Sequence, residues 1–190
     1  MASNFEFYSP TRVIFGKGTE QRVGALVREY GGTRVLIVYG GKSAVRSGVL
    51  NRAEKSLAEA GISSWTLGGV VPNPHLDQVY EGIRIGKENS IDFLLAVGGG
   101  SVIDTAKAIA YGRAEPEKDV WELYEHTRTA RKCLPVASIL TIAAAGSETS
   151  NSSVITRVDT HQKRAYNDDI SRPKFALMDP ELTKTLPDYQ

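Results

Sequence analysis

The sequence predicts an α/β domain with a doubly wound, mostly parallel sheet. Short apolar runs alternate with amphipathic helical patterns, two of these runs are apolar at every position, and glycine clusters stand at the junctions between strands and helices. Strands that are apolar on both sides are typical of a parallel sheet covered by helices on both faces. A chain of 190 residues is long enough for one such domain, and we expect residues 1–190 to form it.

The apolar runs and the helical patterns give the order of the elements. Strands are predicted at 13–15, 35–39, 93–97 and 136–140. Helices are predicted at 48–60, 75–88 and 101–111, where apolar residues recur three and four positions apart. Beyond residue 145 the pattern changes to two short pieces at 152–156 and 164–167, followed by a strand at 174–179. The two short pieces predict a small antiparallel hairpin near residues 150–168.

Composition excludes several classes of partner. The chain has 23 Lys plus Arg against 22 Asp plus Glu, so a net charge of +1 offers no general attraction to nucleic acid or anionic lipid. No apolar run approaches the roughly 18 residues of a membrane span. The single cysteine, Cys133, excludes an internal disulfide framework. We therefore expect a cytoplasmic protein that binds neither nucleic acid nor membranes.

The glycine clusters are the strongest functional signal. Glycines that follow a parallel strand lie at the carboxyl edge of the sheet, where ligands bind, and they let backbone N–H groups approach a phosphate. Gly98, Gly99 and Gly100, followed by Ser101, predict such a phosphate-binding loop. Ser101 has a second interpretation as an ordinary helix N-cap, with Asp104 as its capping-box partner. Gly16 with Gly18 is expected to form a tight turn.

The segment after the second strand bears on the choice of cofactor. Enzymes that use NAD usually place an acid there for the ribose 2′-hydroxyl, and that acid would repel the 2′-phosphate of NADP. No acid occurs between Tyr39 and Asn51, whereas Lys42, Ser43 and Arg46 do occur there. This pattern favours NADP over NAD. A solvated, basic start of a helix is the alternative interpretation.

Histidine spacing gives no indication of a metal site. His75, His126 and His161 are far apart in the sequence and form no pair four residues apart on a helix. Cys133 has no base partner nearby in the sequence, and we expect it to be a buried cysteine at a strand edge. No catalytic residue and no metal ligand is assigned from the residues themselves.

Six segments together resemble the iron-containing (group III) alcohol dehydrogenase family, in particular its NADP-dependent butanol dehydrogenase and aldehyde reductase branch. They are 10–18 (PTRVIFGKG), 39–43 (YGGKS), 71–74 (VPNP), 98–107 (GGGSVIDTAK), 140–149 (LTIAAAGSET) and 179–187 (DPELTKTLP). They occur in the family's order along nearly the whole chain. One departure is Ala144-Ala145, where the family often has Ala-Thr or Gly-Thr before Gly-Ser-Glu.

The resemblance implies the cofactor-binding half of a two-domain enzyme. By family pattern Gly98 to Ser101 cradle the pyrophosphate, Asp104 lies against the nicotinamide side, and Asn73 lies near a ribose. The residues expected to contact the cofactor are Gly40, Gly41, Lys42, Ser43, Asn73, Gly98, Gly99, Gly100, Ser101, Asp104, Thr141 and Lys163. The family's metal is held by one Asp and three His of a helical domain that is expected to be absent from this chain.

The expected function is hydride transfer between a nicotinamide and a primary alcohol or aldehyde, with the divalent metal (iron or zinc) supplied only in the complete enzyme. We expect this chain to bind the dinucleotide but to be inactive alone, and the resemblance implies a homodimer. Two alternatives remain at this point. One is a domain of a glycerol dehydrogenase or dehydroquinate synthase-like enzyme, and the other is a stand-alone nucleotide-binding interaction module.

Overall fold

A computed structural model describes residue 4, residues 8–184 and residue 186. The eight strands are β1 (Arg12–Phe15), β2 (Arg34–Tyr39), β3 (Ser63–Leu67), β4 (Phe93–Gly98), β5 (Val136–Leu140), β6 (Ser152–Arg157), β7 (Gln162–Asn167) and β8 (Phe175–Met178). The six α-helices are α1 (Val23–Glu29), α2 (Lys42–Arg46), α3 (Val49–Glu59), α4 (Leu76–Glu88), α5 (Gly100–Ala114) and α6 (Trp121–Tyr124). Short 3₁₀ turns cover Thr19–Arg22, Asp169–Ser171 and Pro180–Thr183.

Six strands form one parallel sheet in the order β1-β8-β5-β4-β2-β3, and β6 pairs with β7 as a separate antiparallel hairpin. The predicted α/β class and the predicted hairpin are therefore confirmed. The chain runs outward from β2 to β3 and then returns to place β4 on the other side of β2. This reversal puts the topological switch point between β2 and β4, where open α/β sheets bind their ligands.

Both faces of the sheet are covered. Within β2, Leu36 and Val38 pack into the core beneath α4, α5 and α6, whereas Val35 and Ile37 pack on the opposite side against α1 and α3. This alternation explains why β2 and β4 are apolar at nearly every position, since each residue faces one of two cores. The two cores fix the strand ends that carry the glycine loops.

Helix α5 lies at the centre of one layer and is buried from Val102 through Gly112. It packs closely on α4 because glycines replace side chains at the crossing. A Cβ on Gly82 would collide with Ile109, and a Cβ on Gly112 would collide with Ile83. The helix is therefore held rigidly, with its first turn directed at the switch point.

The first strand depends on the last one. β1 pairs in parallel with β8, from Arg12 beside Phe175 to Phe15 beside Met178. Beyond the strands, the Gly18 N–H donates to the Asp179 carboxylate at 2.8 Å. Gly18 has φ +73, so the predicted tight turn is confirmed. Of the predicted 179–187 motif, residues 185 and 187 lie outside the described residues.

Several elements escape the sequence prediction, and for β3 and α1 the physical reason is clear. β3 reads Ser-Ser-Trp-Thr-Leu at the edge of the sheet, where only Leu67 is fully buried, so it shows no apolar run. α1 is seven residues long and contains Gly24, which lowers its helix propensity. Within the described part of the chain, no helix is both long and apolar enough to span a membrane.

Candidate functional site at the switch point

Two glycine loops meet at the carboxyl edge of the sheet. Gly40 and Gly41 follow β2, while β4 ends at Gly98 and leads into α5. Because β2 and β4 are neighbours, with Tyr39 beside Val97, the two loops lie side by side. A Cβ placed on Gly40 would lie 3.6 Å from the Val102 Cγ2 on α5. The structure thus brings the two predicted loops together at the switch point.

The three consecutive glycines are needed by the protein's own packing. A Cβ on Gly98 would lie 2.6 Å from the Val102 Cγ2, and a Cβ on Gly99 would collide with Ile142. A Cβ on Gly100 would lie 3.3 Å from the Ser147 Oγ. Phosphate approach is therefore not the only reason for this run of glycines, although the same absence of side chains leaves the backbone N–H groups open.

The N-cap interpretation of Ser101 is wrong. The N-cap is Gly99, in extended conformation, and α5 already begins at Gly100, so Ser101 lies inside the first turn. The Asp104 carboxylate does not turn back toward this turn to form a capping box. Its Oδ2 accepts the Val154 N–H at 3.1 Å instead. Ser101 is thus left with its hydroxyl at the start of a long helix, where anions are stabilised.

Two hollows flank α2 at this edge. One has a volume of about 460 Å³ and is lined by Ser43, Ala44, Arg46, Ser47, Thr141, Ile142, Leu182 and Leu186. The other has a volume of about 400 Å³ and is lined by Tyr39, Gly40, Gly41, Lys42, Val45, Gly68 and Gly69. Neither set of described lining residues includes an acid. Lys42, Ser43 and Arg46 are exposed.

Gly41 differs from the glycines of the second loop. A Cβ on Gly41 would have no protein atom within 4 Å, and its φ of −79° suits any residue. Neither packing nor backbone conformation within the described chain explains this glycine. A ligand that approaches the backbone would explain it. The space above Gly41 therefore fits a bound group.

Asp104 carries an unpartnered acceptor. The residue is 9% exposed, and its Oδ1 has no hydrogen-bond partner among the described residues. Burial raises the pKa of Asp104, while the Val154 N–H and the Lys107 ammonium act in the opposite direction. A buried acceptor without a donor is costly, so Oδ1 fits a ligand group that donates a hydrogen bond.

Asn73 and Lys163 meet although they are far apart in the sequence. The Lys163 ammonium donates to the Asn73 side-chain oxygen at 2.7 Å. Asn73 has φ +57 and stands between two prolines. The adjacent Pro74 carbonyl accepts the Thr156 N–H of β6 at 2.8 Å. The Val154 N–H of β6 also donates to Asp104 on α5. Strand β6 therefore connects the Asn73 and Lys163 pair to the start of α5.

Thr141 links the ends of two strands at the same edge. Its N–H donates to the Gly98 carbonyl at 3.1 Å, directly after β5. The residue also lines the larger hollow. Of the twelve predicted contact residues, the structure places Gly40 to Ser43, Gly98 to Ser101 and Thr141 around the switch point. Asn73, Lys163 and Asp104 form the group connected through β6.

The described part of the chain contains no cluster suited to a metal ion. Among the described residues, no three His, Cys, Asp or Glu side chains lie close enough together to hold one. Cys133 lies three residues before β5 and is half-buried. Burial raises the pKa of its thiol to about 12, which disfavours the nucleophilic thiolate.

Lys107 is a functional candidate that the sequence reasoning missed. Its side chain is fully buried, and burial lowers its pKa to about 8, while Asp104 acts in the opposite direction. The available signal was a lysine within Ala106-Lys107-Ala108-Ile109-Ala110, where every other residue is apolar, since a lysine is rarely buried without partners.

The six-stranded parallel sheet, with its glycine loops at the switch point, defines the chain as a Rossmann-like α/β domain. Residues 10–180 match the family model described as iron-containing alcohol dehydrogenase. The chain therefore belongs to the iron-containing alcohol dehydrogenase family. The resemblance drawn from the sequence motifs is confirmed.

Individual relatives share the whole of this domain. The chain is 44% identical over 187 residues to the probable NADH-dependent butanol dehydrogenase 2 of Bacillus subtilis, covering 98% of this chain and 47% of the relative. It is 36% identical over 190 residues to the NADPH-dependent aldehyde reductase YqhD of Escherichia coli, covering 99% and 48%. The crystal structure of NADH-dependent butanol dehydrogenase A from Thermotoga maritima superposes with a TM-score of 0.93 at 38% identity, covering 97% and 46%. The chain thus spans about half the length of these relatives.

Proposed function

We propose that residues 1–190 are the dinucleotide-binding domain of an NADPH-dependent alcohol dehydrogenase or aldehyde reductase that acts on a small primary alcohol or aldehyde. The observation that carries this proposal is the meeting of two glycine loops at the switch point, with open space above Gly41. Membership of the iron-containing alcohol dehydrogenase family supports it. The relatives' names include both NADH and NADPH, so the choice between the two cofactors depends on this chain's own residues.

Different residues of the chain are proposed to contact different parts of the cofactor. The backbone of Gly98 to Ser101 and the first turn of α5 receive the pyrophosphate, because helix N-terminal N–H groups favour an anion. Gly40, Gly41 and Ser43 lie around the adenosine ribose. Asp104 offers its free Oδ1 to a donor on the nicotinamide side, and Asn73 with Lys163 contacts the second ribose. The bound cofactor supplies the hydride that reduces a carbonyl carbon.

NADPH is proposed over NADH on grounds of charge. Lys42 and Arg46 are exposed on α2, and neither hollow beside this helix has an acid among its described lining residues. A 2′-phosphate carries about two negative charges and forms charge-assisted hydrogen bonds with such groups. An acid that would select the 2′-hydroxyl of NADH is missing from the Tyr39–Asn51 interval of the sequence.

We propose that carbonyl activation is not supplied by the described residues, since no cluster of their side chains can hold a metal ion. We accordingly propose that the 190-residue chain binds the dinucleotide with little or no turnover. Aldehyde reduction by this chain alone at a rate similar to that of a longer form would contradict this.

The test is a pair of titrations of the chain, one with NADPH and one with NADH. Nicotinamide fluorescence reports binding in both. Tighter binding of NADPH is the expected result. Tighter binding of NADH would overturn the cofactor preference, and no binding of either cofactor would overturn the proposed function. Aldehyde reduction by a C-terminally extended chain, assayed with iron or zinc, tests whether turnover needs residues beyond these 190.

A Gly41→Ala variant tests the open space above the first loop. We expect the Kd for NADPH to rise about tenfold, because a methyl group would occupy the space proposed for the cofactor, and about 1.4 kcal/mol corresponds to that factor. Unfolding free energy should fall by no more than about 1 kcal/mol, since only an N-cap preference changes. Calorimetric titration and urea unfolding measure the two quantities.

The matched control is Gly86→Ala on α4, which adds the same methyl group away from both loops. Its Cβ would lie 3.2 Å from the Arg113 Cδ, so this side chain, whose Nε donates to the Gly86 carbonyl at 2.9 Å, has to shift only slightly. Cofactor affinity should be unchanged in this control. If Gly41→Ala binds NADPH as tightly as the parent chain, the placement of the cofactor above Gly41 is wrong.

A further inference from the structure

Lys107 is a fully buried lysine for which the proposed function gives no role. It lies on α5 one turn after Asp104, and its side chain is fully buried. Its ammonium donates to three backbone carbonyls, those of Ser147 at 2.8 Å, Ser150 at 2.8 Å and Ser152 at 2.9 Å. All three N–H donors of the side chain are thereby used.

The three carbonyls belong to residues 147–152, which are the end of the loop between β5 and β6 and the first residue of β6. This segment contacts the start of α5, since the Ser147 Oγ would be 3.3 Å from a Cβ on Gly100. Just beyond it, the Ser153 hydroxyl donates to the Asp104 carbonyl at 2.8 Å, and the Val154 N–H donates to the Asp104 carboxylate. Asp104 and Lys107 thus attach residues 147–154 to the first two turns of α5.

A charge is a costly means of holding a loop. An ammonium group loses its hydration on burial, and an apolar side chain of similar volume would fill the same space at less cost. Unlike an apolar side chain, the ammonium forms directional hydrogen bonds, and these require three carbonyl oxygens to surround one nitrogen atom. The position of the segment relative to Gly100 is therefore specified more closely than packing alone would specify it.

We propose that Lys107 is a positioning residue for the dinucleotide. By holding segment 147–152 against the N-terminus of α5, it fixes the wall beside the loop that receives the pyrophosphate. Lys107 does not touch the cofactor itself, because its three donors are directed at carbonyls within the protein. This inference rests on the proposed function, since it requires a dinucleotide on Gly98 to Ser101.

The test compares Lys107→Met with a control that loses stability elsewhere. Ser56→Ala is suitable, because the Ser56 hydroxyl donates to the Gln21 carbonyl at 2.7 Å and accepts the Gly24 N–H, on the other face of the sheet. For Lys107→Met we expect a tenfold or greater rise in the Kd for NADPH, together with faster amide hydrogen exchange confined to residues 146–154. For Ser56→Ala we expect an unchanged Kd and no change in exchange of that segment.

The outcomes separate the two proposals. Binding by the parent chain with an unchanged Kd in Lys107→Met would overturn the positioning role alone. No binding by the parent chain would overturn the proposed function and the positioning role together. Should Lys107→Met fail to fold, Lys107→Gln keeps two N–H donors, and the same rise in Kd with local exchange is expected to a smaller degree. An unchanged Kd in Lys107→Gln would likewise overturn the role.

Discussion

Reversing both cations of α2, in a Lys42→Glu, Arg46→Glu double variant, is expected to weaken NADPH binding about 100-fold and to change NADH binding by less than about threefold. Hydrogen bonds to charged groups contribute roughly 1.5–3 kcal/mol each, and exposure to solvent places these two at the lower end. The 2′-phosphate is the part of NADPH that NADH lacks, so the loss falls on NADPH. Titration of both cofactors at two salt concentrations measures it.

A control with the same change in net charge isolates the local effect. Lys55 on α3 and Lys87 on α4 are exposed and line neither hollow beside α2. The Lys55→Glu, Lys87→Glu variant should retain the parent preference for NADPH. Equal NADPH affinity in the α2 variant and this control would contradict a 2′-phosphate site on α2.

Gly24→Ala is expected to lower the free energy of unfolding by about 3 kcal/mol or more, which is the upper range for overpacked cores. A Cβ on Gly24 would collide with the Ser56 carbonyl oxygen, which is backbone and cannot rotate away. The helices α1 and α3 would have to separate, and the Gly24 N–H bond to the Ser56 hydroxyl (3.0 Å) would be lost. Urea unfolding followed by circular dichroism measures the change.

Gly86→Ala again serves as the comparison, because alanine is intrinsically better in a helix than glycine by about 1 kcal/mol. There the neighbour is the Arg113 side chain rather than backbone, and the small shift it needs offsets part of this gain, so stability should change by less than about 1 kcal/mol. A loss below about 1 kcal/mol in Gly24→Ala would show that α1 and α3 adjust to each other more easily than their backbone contact indicates.

The strands with two buried faces were predictable from the sequence, whereas β3, at one edge of the sheet, was not. β2 and β4 are apolar at nearly every position because their side chains pack into the two cores on opposite faces of the sheet. This pattern is visible in the local sequence. β3 pairs only with β2 and shows a mixed pattern that a loop could also show. Its place in the sheet is determined by the tertiary contact between the two strands.

The glycine loops of the site were predictable from the sequence, but the contacts between residues far apart in the chain were less so. Glycines directly after β2 and β4 indicated the switch point, because parallel strands end at one edge. The approach of Lys163 to Asn73 joins residues that are 90 positions apart, and only the family resemblance had grouped them. The three carbonyls around Lys107 are backbone atoms, which leave no trace in residue identity. The same holds for the collision of a Gly99 side chain with Ile142.

The pairing of β1 with β8 has a consequence for how the chain folds during synthesis. Arg12 to Phe15 find their partners at Phe175 to Met178, so the first strand made must wait for the last. Until then Val13 and Phe15, already half or more exposed in the folded domain, have no strand beside them. Contacts of such long sequence separation form late and slow the search for the native state. A chain cut before Phe175 would lose β8 and leave β1 without its partner strand, so trimming that reaches β8 is expected to destabilise both ends of the domain.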